Sequence, residues 1–430
     1  MRTDLIKNKS LLSSQARIQV PWIKVTIGSY TFGIFDEKTK SWGKNQDGFY
    51  KPFSIQYPQY IKQLEVIKIN GQVNTYTLII EYPVTQYDDP NFFEKVFSNV
   101  SRTRKIIFTY GDAENPAYVY KDEEAIITKV SQSFDIVGSK ITYTVEAVSS
   151  ASLATDGSIT VPGTNAGKKV KPSDEIKKLF KNNKSLQNTF TGMKVSDLDT
   201  LIAGDDMQVE VESKQNISAI DYINYLAGCM IPSGSGPGLS KDIYILTIHD
   251  DSITNSDKAR SKKGPYFEVK KVSTIMERGD AYEIDIGINT STIVREFKIE
   301  KNENFSIYYD YQEKAHPEDY VRRINSDGQW EDVYAPTRMM RANKYDTKAT
   351  DRVWWTKATQ FPINASVQVQ GLLRPATLMQ YVRLNVIFPG GQKHISSGLY
   401  IVTRQVDSIG PGGYATTLGL TRIKGDLDTI

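Results

Sequence analysis

The sequence predicts a mostly β chain with an α+β insert: two β-barrel domains with flanking helices, and a small α+β domain between them. Three observations carry this. Apolar and polar residues alternate over many short runs, the period of a half-buried strand. One such pattern occurs twice: Ser397–Ile423, SGLYIVTRQVDSIGPGGYATTLGLTRI, sets two alternating strands around a glycine-rich turn, and Glu124–Val148, EAIITKVSQSFDIVGSKITYTVEAV, is a fainter copy. Between the copies lies a stretch of short amphipathic helices.

The copies correspond residue by residue. Ile126, Ile127, Thr128 and Lys129 match Ile401, Val402, Thr403 and Arg404. Ser133 with Phe134 matches Ser408 with Ile409, and Thr144, Val145 and Ala147 match Thr417, Leu418 and Leu420. Two related β-units suggest a part presenting two equivalent surfaces, which is the logic of assembly more than of catalysis.

The first domain is expected over 1–150. Ile23, Val25 and Ile27 alternate with Trp22, Lys24 and Thr26; Tyr76, Leu78 and Ile80 line one face of a later strand; Ile141, Tyr143, Val145 and Ala147 line another. One helix interrupts them. Asp89 is the expected N-cap and Pro90 the first helical residue. Phe93, Val96, Phe97 and Val100 then form one apolar stripe. A single amphipathic helix inside a β-meander plugs or flanks a small barrel.

Residues 151–171, rich in Gly, Ser, Thr and Pro and ending in lysines, read as a linker. Seven Lys against two acids between Gly167 and Lys184 make a basic stretch, weighed more as a solvated helix face than as a partner-facing patch. The α+β domain is expected over 172–275. Its three helices are capped by Ser173, Ser196 (with Gly204 as the stop) and Ser218, with strands at Gln208–Glu212 and Ile243–His249 and a loop at Ser233–Ser240. The second β-domain is expected over 276–430. Its strands are marked by Phe305–Tyr311, by Val367 and Val369, by Val382, Leu384, Val386 and Phe388, and by the closing pair. Lys314–Thr359, with Trp330, Trp354 and Trp355, reads as a long irregular loop.

Composition excludes several classes. With 430 residues, 39% hydrophobic and 11% aromatic, the chain is an ordinary folded protein of several cores. Its 53 basic and 50 acidic residues give a net charge of +3, which does not support a nucleic-acid grip. One Cys excludes an intrachain disulfide framework. No run approaches the ~18 apolar residues of a membrane helix. The N-terminus, MRTDLIKNKSLLSSQARIQV, predicts no secretion signal and folding in a cytoplasm.

The search for chemistry yields little. His249, His316 and His394 lie far apart without ligand spacing, so no metal site is assigned. Cys229 sits on an apolar helix face and reads as a small hydrophobe. Gly163–Lys169, GTNAGKK, is too short for a P-loop and lacks its Ser or Thr. Asp88, Asp89, Asp205, Asp206, Asp250 and Asp251 read as loop and cap residues. Trp354 and Trp355 are the best candidates for a carbohydrate platform, but neighbours on a strand face opposite ways. No catalytic residue, cofactor or metal is expected, and the protein is not read as an enzyme.

Two stretches carry a family resemblance: the closing pattern GLYIVTRQV and GYATTLGLTR, Gly398–Val406 and Gly413–Arg422, and the middle stretch Lys194–Ala227, KVSDLDTLIAGDDMQVEVESKQNISAIDYINYLA. With the order barrel, insert, barrel, they make the chain resemble a baseplate hub protein of a phage tail or related contractile injection system (the tail-hub, or late control protein D, class). The resemblance implies two tail-tube-like barrels in each chain and a homotrimer whose six barrels form a pseudo-sixfold ring between tail tube and central spike. It implies a tail-tube ring and a spike or tail-tip protein as partners, the tape-measure protein as a further candidate, and a place in the virion baseplate after assembly in the host cytoplasm. Subunit contacts are expected on the Asp89–Val100 helix and on Tyr414–Arg422, at Phe93, Phe97, Tyr414, Leu418 and Leu420. The competing readings are a hub-associated cell-wall hydrolase and a carbohydrate-binding tail adhesin.

Overall fold

The structure, a computed structural model, describes residues 21–28, 30–32, 35–36, 41–42, 60–84, 89–98, 105–112, 119–154, 158–161, 169–209, 211, 214–230, 233, 244–249, 265–271, 282–287, 294–301, 320–324, 330–334, 363–370, 378, 381–388, 390–410 and 413–425. The fold is mostly β.

The first half comprises β1 (Pro21–Ile27), β2 (Tyr30–Phe32), the small hairpin β3 (Phe35–Asp36) and β4 (Ser41–Trp42), β5 (Ile61–Ile69), β6 (Thr75–Pro83), α1 (Phe92–Ser98), β7 (Lys105–Asp112), β8 (Val119–Asp135) and β9 (Lys140–Ser149). The alternating residues behave as their period demands: Ile23, Val25 and Ile27, Tyr76, Leu78 and Ile80, and Tyr143, Val145 and Ala147 all enter one core. Helix α1 starts two residues later than its Pro suggested. The Asp89 carboxylate still caps it, accepting the Asn91 N–H at 2.9 Å and the Lys95 ammonium at 2.6 Å. Phe93 inserts against Tyr60, Tyr82 and Tyr143, with ring centroids 5.8, 5.4 and 5.3 Å away.

The insert contains a 3-10 turn (Ser150–Ala154), β10 (Ser158–Val161), α2 (Pro172–Asn182), α3 (Lys184–Thr189), a second 3-10 turn (Val195–Asp197) running into α4 (Leu198–Leu201), β11 (Lys214–Ser218), α5 (Ala219–Cys229), β12 (Tyr244–His249) and β13 (Tyr266–Lys271). Ile220, Ile223, Leu226 and Ala227 of α5 pack with Leu246, Ile248, Phe267 and Val269. Ser218 caps α5 as expected, its Oγ accepting the Asp221 N–H at 3.1 Å. Several expectations are corrected. Pro172 opens α2 behind Lys171, and buried Ser173 lies inside the helix with its N–H on Asp206 at 3.0 Å. Ser196 lies inside the 3-10 turn before α4; there the Asp197 carboxylate accepts the Lys194 N–H at 3.1 Å, and α4 itself starts without a side-chain cap. The expected linker holds a strand, since β10 pairs with β11 and Ile159 packs on the insert core. Among the described residues of the Gln208–Glu212 stretch, Val209 bridges to Val170. Thr247 reaches back to the β5–β6 turn, its hydroxyl on Asn70 Oδ1 at 3.2 Å.

The second half comprises β14 (Tyr282–Gly287), β15 (Val294–Lys301), β16 (Tyr320–Ile324), β17 (Trp330–Tyr334), β18 (Ile363–Gln370), β19 (Tyr381–Ile387), β20 (Gly398–Gly410) and β21 (Gly413–Gly425). Within Lys314–Thr359, β16 and β17 form an antiparallel hairpin where a loop was expected. Phe305–Tyr311, His316, Trp354, Trp355 and Val100 lie outside the described residues, as do Asp88, Asp250 and Asp251.

The two halves are copies. In the first, neighbouring strands run β5-β6-β9-β8-β7-β1; in the second, β15-β18-β21-β20-β19-β14. Chain order maps one series onto the other strand for strand. Irregularities match as well. An extra residue, Thr128, bulges from β8 against β9, and Thr403 bulges from β20 against β21. Each threonine hydroxyl donates across the bulge, to the carbonyl of Glu146 at 3.1 Å and of Gly419 at 3.2 Å. A second pair of bulges falls at Lys62 in β5 and Arg295 in β15. Bulges are inherited features of a sheet rather than accidents. The outermost strands differ: β1 is antiparallel to β7, whereas β14 is parallel to β19.

Both halves belong to one sheet of 13 strands. Strand β20 joins them. Its first part, Gly398–Ile401, pairs with β19 of its own half, and its second part, Arg404–Ile409, pairs with β5 of the other.

Candidate functional site: the junction of the two halves

Along the second part of β20 alternate residues point the same way. Gln405, Asp407 and Ile409 therefore enter the first half, together with Tyr414 and Thr416 of β21. Ile409 and Tyr414 join the first half's apolar core. Gln405 and Asp407 meet a buried polar cluster. A register kink in β8 makes room for it: Asp122 takes a left-handed φ of 53°, and its N–H bonds Thr109 Oγ1 at 3.1 Å. The kink breaks the two-residue alternation, so Tyr120 and Glu123 both turn inward.

Glu123 is 0% exposed. It accepts the Lys68 ammonium at 2.6 Å, the Tyr76 hydroxyl at 2.9 Å and the Tyr110 hydroxyl at 3.3 Å. Lys68 Nζ also lies 3.8 Å from the centre of the Tyr120 ring, a cation–π contact. Tyr110 and Tyr120 stack at 4.8 Å. From the other half, Gln405 Nε2 donates to the Tyr120 hydroxyl at 2.8 Å and to Asp407 at 2.6 Å. Asp407 further accepts from Thr416 at 2.7 Å and Tyr414 at 3.1 Å.

Burial pushes the Asp407 carboxyl up, with the Lys68 charge the first influence opposing it. Burial, then Glu123, pushes the Tyr110 phenol well up; burial, then Asp407, does the same to Tyr414. The tyrosines therefore serve as neutral donors. Enclosed as they are, Glu123, Gln405 and Asp407 face side chains rather than solvent, and what they do is fix one register of β20 on β5.

The residues assigned to subunit contacts are placed differently from that expectation. Phe93 and Tyr414 lie in the first half's own core, and Leu418 and Leu420 in the second half's. Their apolar stripes face inward, so their side chains offer no contact surface; of the five, only Phe97 is half-buried at the edge of its core. The other candidates are structural. His249 Nε2 sits 3.1 Å from Glu268, and His394 Nδ1 sits 2.6 Å from the Ser396 hydroxyl. Cys229 is buried in the insert core. Asp205 bonds Lys271 at 2.5 Å and Tyr244 at 2.7 Å. Among the described residues no group of three or more His, Cys, Asp or Glu is placed to hold a metal ion. No helix among them is long and apolar enough to cross a membrane.

No family model matches the sequence, and no curated protein matches it. Along most of its length the chain is similar in structure to solved tail proteins. A tail protein from Neisseria meningitidis aligns at 9% identity and TM-score 0.47, over 94% of this chain and 96% of that one. The 43 kDa tail protein of prophage MuSo2 from Shewanella oneidensis aligns at 10% identity and TM-score 0.49, over 94% and 99%. An E. coli component of the type VI secretion system aligns at 9% identity and TM-score 0.43, over 86% and 75%.

Proposed function

We propose that this chain is a structural tail protein of a phage or phage-tail-like particle: a baseplate hub whose trimer forms a pseudo-sixfold ring joining the tail tube to the central spike. The observation that carries the reading is the duplication. One chain holds two β-units with the same strand order and the same bulges, fused edge to edge in one sheet. Each chain then counts as two positions of a ring, so three copies present sixfold-like surfaces to the tube and threefold surfaces to the spike. Head-to-tail contacts of this kind close into rings when the rotation permits. In this reading the protein resides in the virion tail after assembly in the host cytoplasm, and its partners are the tube ring, the spike or tail-tip protein and the tape-measure protein.

The role is mechanical: hold the spike, cap the tube and adapt one symmetry to the other. No catalytic step, cofactor or metal is assigned, and absence of clearing on peptidoglycan zymograms is the expected result. Native mass by light scattering across a concentration series tests the ring. A trimer supports it; a monomer at every concentration speaks against it.

A further inference from the structure

We infer that the outer half of β8 is an open docking edge for strand β15 of a second copy of this chain, in a register set by the β20–β5 pairing already present within the chain.

The argument starts from the duplication. The matched bulges equate β8 with β20 and β5 with β15. Within one chain β20 carries β5 on its outer half, Arg404–Ile409 against Leu64–Ile69. The corresponding half of β8, Lys129–Asp135, pairs only with β9 among the described residues, and β15 pairs only with β18. The same joint therefore exists made once and unmade once per chain, with its two sides on different halves.

Burial records the difference. Ile409 is 1% exposed, and its equivalent Phe134 is 64% exposed. Gln405 and Asp407 are buried, whereas Val130 is half-buried and Gln132 exposed. On the other strand, Leu64 and Val66 are buried, and their equivalents Phe297 and Ile299 are only half-buried. Each exposed position is the image of a position that a neighbouring strand covers. Val137 at 99% and Ile136 at 88% exposure extend the apolar tip beyond Phe134. Open strand edges with apolar side chains are pairing templates.

Transferring the in-chain register sets Phe134 opposite Phe297, Ser133 opposite Lys298, Gln132 opposite Ile299, Ser131 opposite Glu300 and Val130 opposite Lys301, antiparallel. Phe134 then meets Phe297 as a cross-strand aromatic pair, and no like charges face each other. A slip by one residue would turn Phe134 toward the charged face of β15. A second copy is the fitting occupant, because β15 is the strand this joint accepts by descent. The inter-chain joint lacks the ionic cluster, since Gly398 stands at the position of Glu123.

This inference rests on the hub reading only for the number of copies, and one experiment separates the two. In Ser133→Cys/Lys298→Cys, oxidation should link chains, because opposed Cα atoms on paired strands lie within disulfide range. Cys229 is buried and leaves only the introduced thiols to react. A control with Ser133→Cys/Glu300→Cys is diagonal, about 7–8 Å apart, and should link far less. A denaturing gel that stops at three chains supports both readings. A ladder that runs past three supports the edge pairing and overturns the trimeric ring. A native trimer without the cross-link overturns the edge pairing and leaves the ring. A monomer without the cross-link overturns both. Phe134→Asp, at a position exposed in the single chain, should abolish the association while leaving the unfolding of the dissociated chain unchanged; wild-type assembly by that variant overturns the pairing.

Discussion

Replacing Lys68 with Met removes the ammonium that bonds Glu123 and acts on Asp407. At 2.6 Å the Lys68–Glu123 attraction is about 6 kcal/mol for an effective dielectric near 20. Part of it offsets the cost of burying the ammonium, which Met does not incur. What remains is the loss from stranding a buried carboxylate, about 3–5 kcal/mol. With a urea slope of about 2–3 kcal/mol per M, the unfolding midpoint should fall by on the order of 1–2 M. The loss should also depend on pH. Asp407 is already raised by burial, and Lys68 is the first influence holding it down. A raised carboxyl contributes stability that is complete below its unfolded pKa and is lost as pH rises through the folded value. Removing Lys68 raises it further, so the deficit of the variant should be largest near neutrality and shrink as the pH approaches the ordinary Asp value of 3.8. Urea titrations followed by circular dichroism at several pH values are the assay. A Lys68→Met protein within about 1 kcal/mol of wild type at neutral pH, or with a deficit independent of pH, would refute the view that the junction is held by this ion cluster.

Other outcomes follow from single features. Ser218→Ala removes the cap of α5 and should cost about 1 kcal/mol in thermal or urea unfolding. Gly287 has a φ of +136°, and a Cβ there would sit 1.8 Å from the Ile387 carbonyl oxygen, so Gly287→Ala should cost about 3 kcal/mol and lower the melting temperature. Burial raises the Asp205 carboxyl, but Lys271 and Tyr244 together outweigh it and leave it lowered. Its contribution is therefore present above the ordinary Asp range and lost as pH falls through the folded value; Asp205→Asn should flatten that part of the acid-unfolding profile.

The repeated hairpin was legible in the sequence because its bulge residue is chemically marked: Thr128 and Thr403 follow an apolar pair and precede a base, and both hydroxyls close the same bond. The strand equivalence of β5 with β15 was not legible. There the burial differs, and the match of LEVIKI to FKIEK, apolar at Leu64/Phe297 and Val66/Ile299 with a lysine at Lys68/Lys301, is only the alternation common to any half-buried strand. Apolar alternation also cannot say whose core a face enters, so Phe93, Leu418 and Leu420 read as contact residues although each is filled into its own half. The ion cluster was missed for a different reason. Lys68, Glu123 and Asp407 look like surface residues, and only the left-handed Asp122 and the crossing of β20 turn them inward.

The junction also dictates an order of events as the chain is made. Ile409 and Tyr414 complete the first core, yet they follow the whole insert and most strands of the second half in the chain. The bond between Gln405 and Tyr120 spans 285 residues, and closing a loop of that length costs about 5 kcal/mol of chain entropy before any contact returns it. The first half therefore emerges from the ribosome with an uncovered β5 edge and waits through most of synthesis for its last hairpin. Folding of the first half is thus slow by topology and hostage to the β20–β21 hairpin. Translation stalled before Gly398 would leave that half with its sheet formed, its core unfinished and β5 free to pair with the wrong strand.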